Sequence, residues 1–119
     1  MTIYIASKTY HAPLWRDLRT QGIPIISTWI DEAGDEESSS FEDLWRRCID
    51  EASSAQFTIV YRASGDVLKG ALIEVGAALA SGRQVIAVGC EGFTFTHHKQ
   101  VQHAASMQEA LKICEGEKL

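Results

Sequence analysis

The chain has 119 residues, of which 45% are hydrophobic and 23% are charged, and these values are typical of one soluble globular domain. We therefore predict a single domain over residues 1–119. The net charge of −5 argues against a nucleic-acid surface, which needs a basic stripe, but does not exclude a small anionic ligand. Three cysteines without CxxC spacing predict reduced thiols in a cytoplasmic protein. The N-terminal apolar run is too short for a signal peptide or a membrane span.

The first half of the chain predicts two strands and two helices. Residues 2–6 are β-branched and aromatic, as in a strand, and LWRDLRTQ has apolar residues at helical spacing. The apolar segment 23–30 predicts a second strand. A loop at 31–40 with five carboxylates follows, and its last serines are predicted to cap a helix through Ser54.

The second half predicts three more strands and two more helices. The segments 56–61 and 84–88 are almost entirely apolar, as expected of strands that are covered on both faces. Between them, the run from Gly70 to Gly82 predicts a helix. Residues 101–104 predict a short fifth strand, and a capping box introduces a last helix that ends near Cys114.

This alternation of strands and helices predicts a three-layer α/β domain, in which helices cover both faces of a parallel sheet. We predict five strands in the order 2-1-3-4-5. In such sheets, ligands bind beyond the carboxyl ends of the strands. The loops at that edge are 7–11, 31–40, 62–69 and 89–99.

Glu74 is the only charged residue between Gly70 and Gly82, and it lies about one turn into the predicted helix. Burial of an unpaired charge costs several kcal/mol, so such a group is neutralised, paired or used. Two interpretations follow from the residues alone. Glu74 is either a functional carboxylate at the sheet edge or a structural one that pairs with Lys69 or Arg62.

The loops at the predicted sheet edge carry polar and aromatic side chains that suit a small ligand. They offer donors for an anion and aromatic faces for stacking. The candidate ligand contacts are Ser7, Lys8, Tyr10, Trp29, Asp66, Lys69 and Gly70. Structural alternatives exist, namely helix capping for Ser7, solvation for Lys69, and packing at the rim for the two aromatic residues.

Several common site motifs are absent from the sequence. It has no P-loop and no GxGxxG motif, so we predict no standard nucleotide cradle and no cofactor. His97 and His98 are adjacent, and on a strand their rings would point to opposite faces, so we predict no metal site. Cys48 lies on the apolar stripe of its predicted helix and is predicted to belong to the core.

Four segments carry a family resemblance: IYIAS, STWID, FTIVY and, above all, GALIEVGAALASGRQVIAVG. Together they resemble the nucleoside 2-deoxyribosyltransferase-like superfamily, which includes deoxynucleoside 5′-monophosphate N-glycosidases. The family helix pattern G-x-x-x-E-x-G-x-A-x-A-x-G is matched by Gly70, Glu74, Gly76, Ala78, Ala80 and Gly82. The likeness covers most of residues 2–89, and the C-terminal GFTFTHH and SMQEAL also look like segments of bacterial and phage relatives.

The resemblance implies a flavodoxin-like fold, a nucleoside or nucleotide ligand, and a homodimer or higher homo-oligomer with sites completed across the interface. It also implies that Glu74 attacks C1′ of a (deoxy)ribosyl group and forms a covalent glycosyl-enzyme. A second acid should assist this step. The candidates are Asp50, Asp31 and Asp66, of which Asp50 is favoured by its position.

The leading hypothesis is a cytoplasmic enzyme that cleaves or exchanges the N-glycosidic bond of a nucleoside or nucleotide. No acid precedes Glu74 more closely than Asp66, so a non-catalytic nucleotide-binding protein of the same fold, a sensor or a sequestering protein, is the alternative. A third hypothesis is a structural oligomer in which Glu74 holds its helix through an ion pair.

Overall fold

The computed structural model describes residues 1–33 and 40–116, so residues 34–39 of the predicted acidic loop lie outside the described part. Within those ranges the chain forms four strands, four α-helices and three short 3₁₀ helices. The strands are β1 (Ile3–Ala6), β2 (Phe57–Tyr61), β3 (Gln84–Val88) and β4 (Val101–Ala104). The α-helices are α1 (Ala12–Thr20), α2 (Phe41–Ser54), α3 (Gly70–Ala80) and α4 (Met107–Cys114). The 3₁₀ helices are Thr9–His11, Thr28–Asp31 and Thr94–His97.

The four strands form one sheet in the order β1-β2-β3-β4, and every neighbouring pair is parallel. Helices pack on both of its faces. The Tyr4 hydroxyl of β1 reaches Glu74 of α3 on one face, whereas Tyr61 of β2 packs edge-on against Trp15 of α1 on the other, with ring centroids 5.1 Å apart. The prediction of a parallel α/β sheet with helices on both faces is therefore confirmed.

The prediction of a strand at 23–30 is wrong, so the described residues form four strands and not the predicted five. The segment does lie beside β1, but it pairs through a single bridge between Ile3 and Ile25. Pro24 has no N–H with which to extend the ladder. Beyond the bridge, the hydroxyl of Ser27 replaces a backbone carbonyl as the acceptor for a β1 N–H at 2.8 Å. The next residues then turn into a 3₁₀ helix.

The predicted helix caps are confirmed. The Ser40 hydroxyl accepts a hydrogen bond from Asp43 N at 3.1 Å and begins α2, and the Ser106 hydroxyl accepts one from Glu109 N at 3.1 Å and begins α4. The Glu109 carboxylate in turn accepts from Ala105 N at 3.2 Å. Each cap satisfies backbone donors that a helix cannot pair within itself.

A close approach of two chain segments occurs where β2 and β3 end. Gly89 has a φ of +77°, and a Cβ at this position would lie 2.1 Å from the carbonyl oxygen of Arg62. Only glycine suits both the left-handed backbone and the contact. Glycine here therefore lets the loops after β2 and β3 leave the same edge of the sheet.

No helix in the ranges 1–33 and 40–116 is long and apolar enough to cross a membrane.

Candidate functional site

A cleft of about 290 Å³ opens at the carboxyl ends of β1 and β2. Its walls come from the loop after β1, the 3₁₀ helix at 28–31, α2, the loop after β2 and the first turns of α3. This volume lies just below the range of about 300–1,000 Å³ that is usual for ligand sites. Six residues predicted from the sequence line the cleft: Ser7, Lys8, Trp29, Lys69, Gly70 and Glu74.

Two of the three candidate acid partners lie outside this cleft. The Asp50 side chain on α2 is 68% exposed, and its carboxylate lies 3.6 Å from Arg46 Nη1. Asp31 accepts two hydrogen bonds from the Arg19 guanidinium, at 2.7 and 3.0 Å. These bonds lower the pKa of Asp31. The structure therefore does not bring either carboxylate together with Glu74.

Asp66, the third candidate, belongs to a cluster beside the cleft together with the predicted contact Tyr10. Asp66 is buried and accepts hydrogen bonds from the Tyr10 hydroxyl, from His11 Nε2 at 2.8 Å and from Ala63 N at 3.0 Å. The bond from Tyr10, followed by that from His11, lowers the pKa of Asp66 to about 2. The cluster ties loop 7–11 to loop 62–69, which both border the cleft. Asp66 and Tyr10 thus hold these loops and do not line the cleft.

Glu74 lies at the fifth position of α3, is only 7% exposed and lines the cleft. Its Oε1 accepts a hydrogen bond from the Tyr4 hydroxyl. Its Oε2 lies 3.9 Å from the point that a Cβ on Gly70 would occupy. Burial raises the pKa of Glu74 to about 7, against the hydrogen bond from Tyr4, which lowers it. A carboxyl with this pKa exists in both protonation states near neutral pH.

The ion pair that would make Glu74 purely structural is not formed among the described residues. Its hydrogen-bond partner is Tyr4. Arg62 donates to the backbone carbonyls of Asp66, at 3.0 Å, and of Gly89, at 3.5 Å. Lys69 is exposed on the rim of the cleft. Within the described ranges, neither cation neutralises the carboxylate.

Tyr4 was missed as a site residue by the sequence reasoning, which placed it only in a strand. Its side chain is fully buried. Burial, followed by the Glu74 charge, raises the pKa of Tyr4 far above its ordinary value, so the hydroxyl remains a neutral donor. The available signal was a polar-tipped aromatic side chain inside an apolar strand, because a buried tyrosine hydroxyl usually has a hydrogen-bond partner.

Two residues of the apolar stripe of α2 also line the cleft. Cys48 is buried, as predicted, and burial raises the pKa of its thiol to about 11. Trp45 is partly exposed and forms another part of the wall. Apolar periodicity identifies such residues as inward-facing, but it does not distinguish a core contact from a cleft wall.

The rim of the cleft is suited to an anion. Lys8 and Lys69 both line it, and Lys69 is also the N-cap residue of α3. No side chain caps this helix, and its N-terminus lines the cleft at Lys69, Gly70 and Ala71. Helix N-termini and ammonium groups together favour phosphate or carboxylate.

The ranges 1–33 and 40–116 contain no group of three or more His, Cys, Asp or Glu residues that could hold a metal ion.

Comparison with solved structures shows a likeness to the CMP N-glycosidase BcmB of Clostridium botulinum. The TM-score is 0.63 and the sequence identity 17%, over 98% of this chain and 100% of that chain. No family model and no curated protein matches the sequence. At this identity the likeness establishes a shared fold: this chain has the α/β fold of that N-glycosidase.

Proposed function

We propose that this protein cleaves the N-glycosidic bond of a nucleoside 5′-monophosphate, with Glu74 as the nucleophile. The observation that carries the proposal is the buried carboxylate in the cleft, with Oε1 bound by Tyr4 and Oε2 beside Gly70. The fold shared with a CMP N-glycosidase supports the reaction class. The lysines and the uncapped helix terminus at the rim support a phosphorylated substrate.

The chemistry follows that of retaining glycosyl transfer. The ionised Oε2 of Glu74 attacks C1′ while the bond from C1′ to the base nitrogen breaks, and the base leaves with the bonding electrons. Glu74 is the only carboxylate among the described residues that line the cleft, so the departing base takes its proton from water. A second water then hydrolyses the glycosyl ester. The products are the free base and (deoxy)ribose 5-phosphate.

The surrounding side chains have distinct roles in this proposal. The Tyr4 hydroxyl orients the carboxylate and leaves the other oxygen for the sugar. Lys8 and Lys69 contact the phosphate, and Trp29 forms an apolar wall for the base. The cytoplasmic location predicted from the cysteines and the homo-oligomer implied by the family resemblance remain predictions. Sedimentation velocity tests the oligomer.

The test is release of free base from a panel of ribo- and deoxyribonucleotides, followed by chromatography. We expect Glu74→Gln to release base at least about 10³-fold more slowly than the wild type, because loss of a nucleophile removes the covalent route. Asp50→Asn is the matched control, since it also removes one carboxylate of the same chain but lies outside the cleft. Base release by the wild type that is no faster than that by Glu74→Gln contradicts the proposal.

A second candidate function is nucleotide binding without turnover, as in a sensor or a sequestering protein. The presence of a single carboxylate among the described cleft residues favours it, because glycoside hydrolysis commonly uses two. This candidate predicts a melting temperature that rises with nucleotide concentration by mass action. It also predicts that the nucleotide is recovered intact after incubation, which chromatography of the same samples measures.

A further inference from the structure

The indole ring of Trp45 reaches from α2 to the first turn of α3, beside the carboxylate of Glu74. A Cβ on Gly70 would lie 2.8 Å from Trp45 Cη2 and 3.3 Å from Trp45 Cζ2. The same point lies 3.9 Å from Glu74 Oε2, the oxygen that is not held by the Tyr4 hydroxyl. Because glycine has no side chain, the edge of the indole ring and this oxygen can both approach the bare backbone of the helix. Trp45 thus forms the cleft wall beside the oxygen that is proposed to react.

Several polar groups that line the cleft around Glu74 favour its ionised form. The Tyr4 hydroxyl of β1 donates to Oε1 and lowers the pKa of the carboxyl. Lys8, after β1, and Lys69, at the start of α3, line the same cleft, and a nearby ammonium group also favours a carboxylate. Without a stronger opposing cause, Glu74 would therefore be ionised well below neutral pH.

The opposing cause is burial, with a smaller contribution from α2. Burial is the largest cause that raises the pKa of Glu74 to about 7, and the charge of Glu51 raises it less. Cys48 lines the cleft as a neutral thiol, because burial raises its pKa to about 11. The groups that keep water from the carboxylate therefore decide its protonation state. The indole ring of Trp45 is the aromatic group beside its free oxygen.

We infer that the indole ring of Trp45 excludes water from the reacting oxygen of Glu74 and thereby makes the carboxylate a stronger nucleophile. This inference rests on the proposed function. A carboxylate that has lost part of its hydration is a stronger base and a better nucleophile, because water no longer stabilises its charge. Trp45 is thus a positioning residue, which acts on C1′ only through Glu74.

The first experiment titrates the Glu74 carboxyl by carbon NMR of protein that contains isotope-labelled glutamate, with Glu74→Gln to identify the signal. We expect Trp45→Ala to lower the pKa of Glu74 from about 7 by about one unit or more, towards its ordinary value of 4.5, because water enters beside Oε2. Trp45→Phe keeps an aromatic wall and should lower the pKa less. Phe41→Ala is the matched control, since it removes an exposed aromatic side chain of α2 that lies outside the cleft, and it should leave the pKa unchanged. Circular dichroism confirms that each variant is folded.

The second experiment follows base release by the same variants over a range of pH. The rise of kcat/KM with pH reports the ionisation of the nucleophile in the free enzyme. In Trp45→Ala this rise should move to lower pH by as much as the pKa of Glu74 falls. The plateau above it should fall by up to about tenfold, as a Brønsted dependence on one pKa unit allows. A purely structural role of Trp45 would lower the plateau without moving the rise.

The outcomes separate this inference from the proposed function. A pKa of Glu74 that is the same in the wild type and in Trp45→Ala overturns the inference and leaves the proposed function standing, and Trp45→Phe decides the question if Trp45→Ala does not fold. A plateau that falls while the rise stays in place has the same meaning. Absence of base release by the wild type overturns the proposed function and the catalytic part of the inference, whereas a lowered pKa in Trp45→Ala still supports the exclusion of water.

Discussion

The buried state of Glu74 makes a quantitative prediction about Glu74→Gln. Glutamine keeps the shape of the side chain and an acceptor oxygen for the Tyr4 hydroxyl, but it cannot ionise. In the wild type, burial raises the pKa of Glu74 from 4.5 to about 7, and the hydrogen bond from Tyr4 only partly opposes this. The substitution therefore removes the charge and its desolvation while it leaves the packing nearly unchanged.

The sign of the effect follows from proton binding. Between pH 4.5 and about 7, the folded wild type holds a proton on Glu74 that the unfolded chain has lost, so the free energy of unfolding falls as the pH rises. The fall is complete above the folded pKa. At 1.36 kcal/mol per pKa unit, the shift amounts to at most about 3 kcal/mol. Glu74→Gln does not lose this free energy of unfolding as the pH rises. The free energy of unfolding of the variant, relative to that of the wild type, should therefore increase from pH 4.5 to pH 8 by up to that amount.

Urea unfolding of both proteins at a series of pH values measures this difference. Asp50→Asn controls for the change in net charge, since its carboxylate is 68% exposed on the outer side of α2. A difference between Glu74→Gln and the wild type that is the same at pH 5 and pH 8 would refute the argument that the carboxyl is desolvated. The expected outcome, an inactive variant that is more stable at pH 8, is typical of a site that holds a strained or buried group for function.

The remaining predictions concern the partner of the carboxylate, a turn and a loop cluster. Tyr4→Phe removes the hydroxyl that lowers the pKa of Glu74, so the rise of kcat/KM with pH, expected near 7 in the wild type, should move to higher pH; an unmoved profile would contradict the role of the hydroxyl. Gly89→Ala should lower the free energy of unfolding by more than about 2 kcal/mol, because φ is +77° and the new Cβ meets a carbonyl oxygen. Gly76→Ala, in the open on α3, should instead raise it by up to about 1 kcal/mol, and equal effects of the two in urea would argue against the contact. Because the pKa of Asp66 is lowered to about 2, its ionised form stabilises the fold above its ordinary pKa of 3.8, and this contribution is lost as the pH falls towards 2. Asp66→Asn should remove that part of the acid transition followed by circular dichroism, and an unchanged transition would speak against the cluster.

The strands and helices that local patterns specify were predicted well from the sequence. Apolar runs marked β2 and β3, and capping serines marked the starts of α2 and α4. The segment 23–30 has the same apolar character, yet it forms only a bridge to Ile3. Whether an edge segment completes a ladder of hydrogen bonds depends on the donors and acceptors that it offers to the neighbouring strand. Pro24 lacks a backbone donor and Ser27 supplies a side-chain acceptor, although the apolar pattern of the segment is unchanged.

For the site, the sequence by itself determined that Glu74 needs an explanation, because a lone charge in an apolar helix is visible in the local sequence. It also determined that the loops after the strands surround Glu74, because this follows from the general topology of a parallel sheet. Only the tertiary structure decided which side chains meet there. It placed Tyr4 against the carboxylate across 70 positions of sequence and put Trp45 in the cleft wall, and it left Asp50 outside. The physical reason is that periodicity gives the face of an element, whereas burial, hydrogen bonding and the pKa of Glu74 are set by neighbours that are distant in sequence.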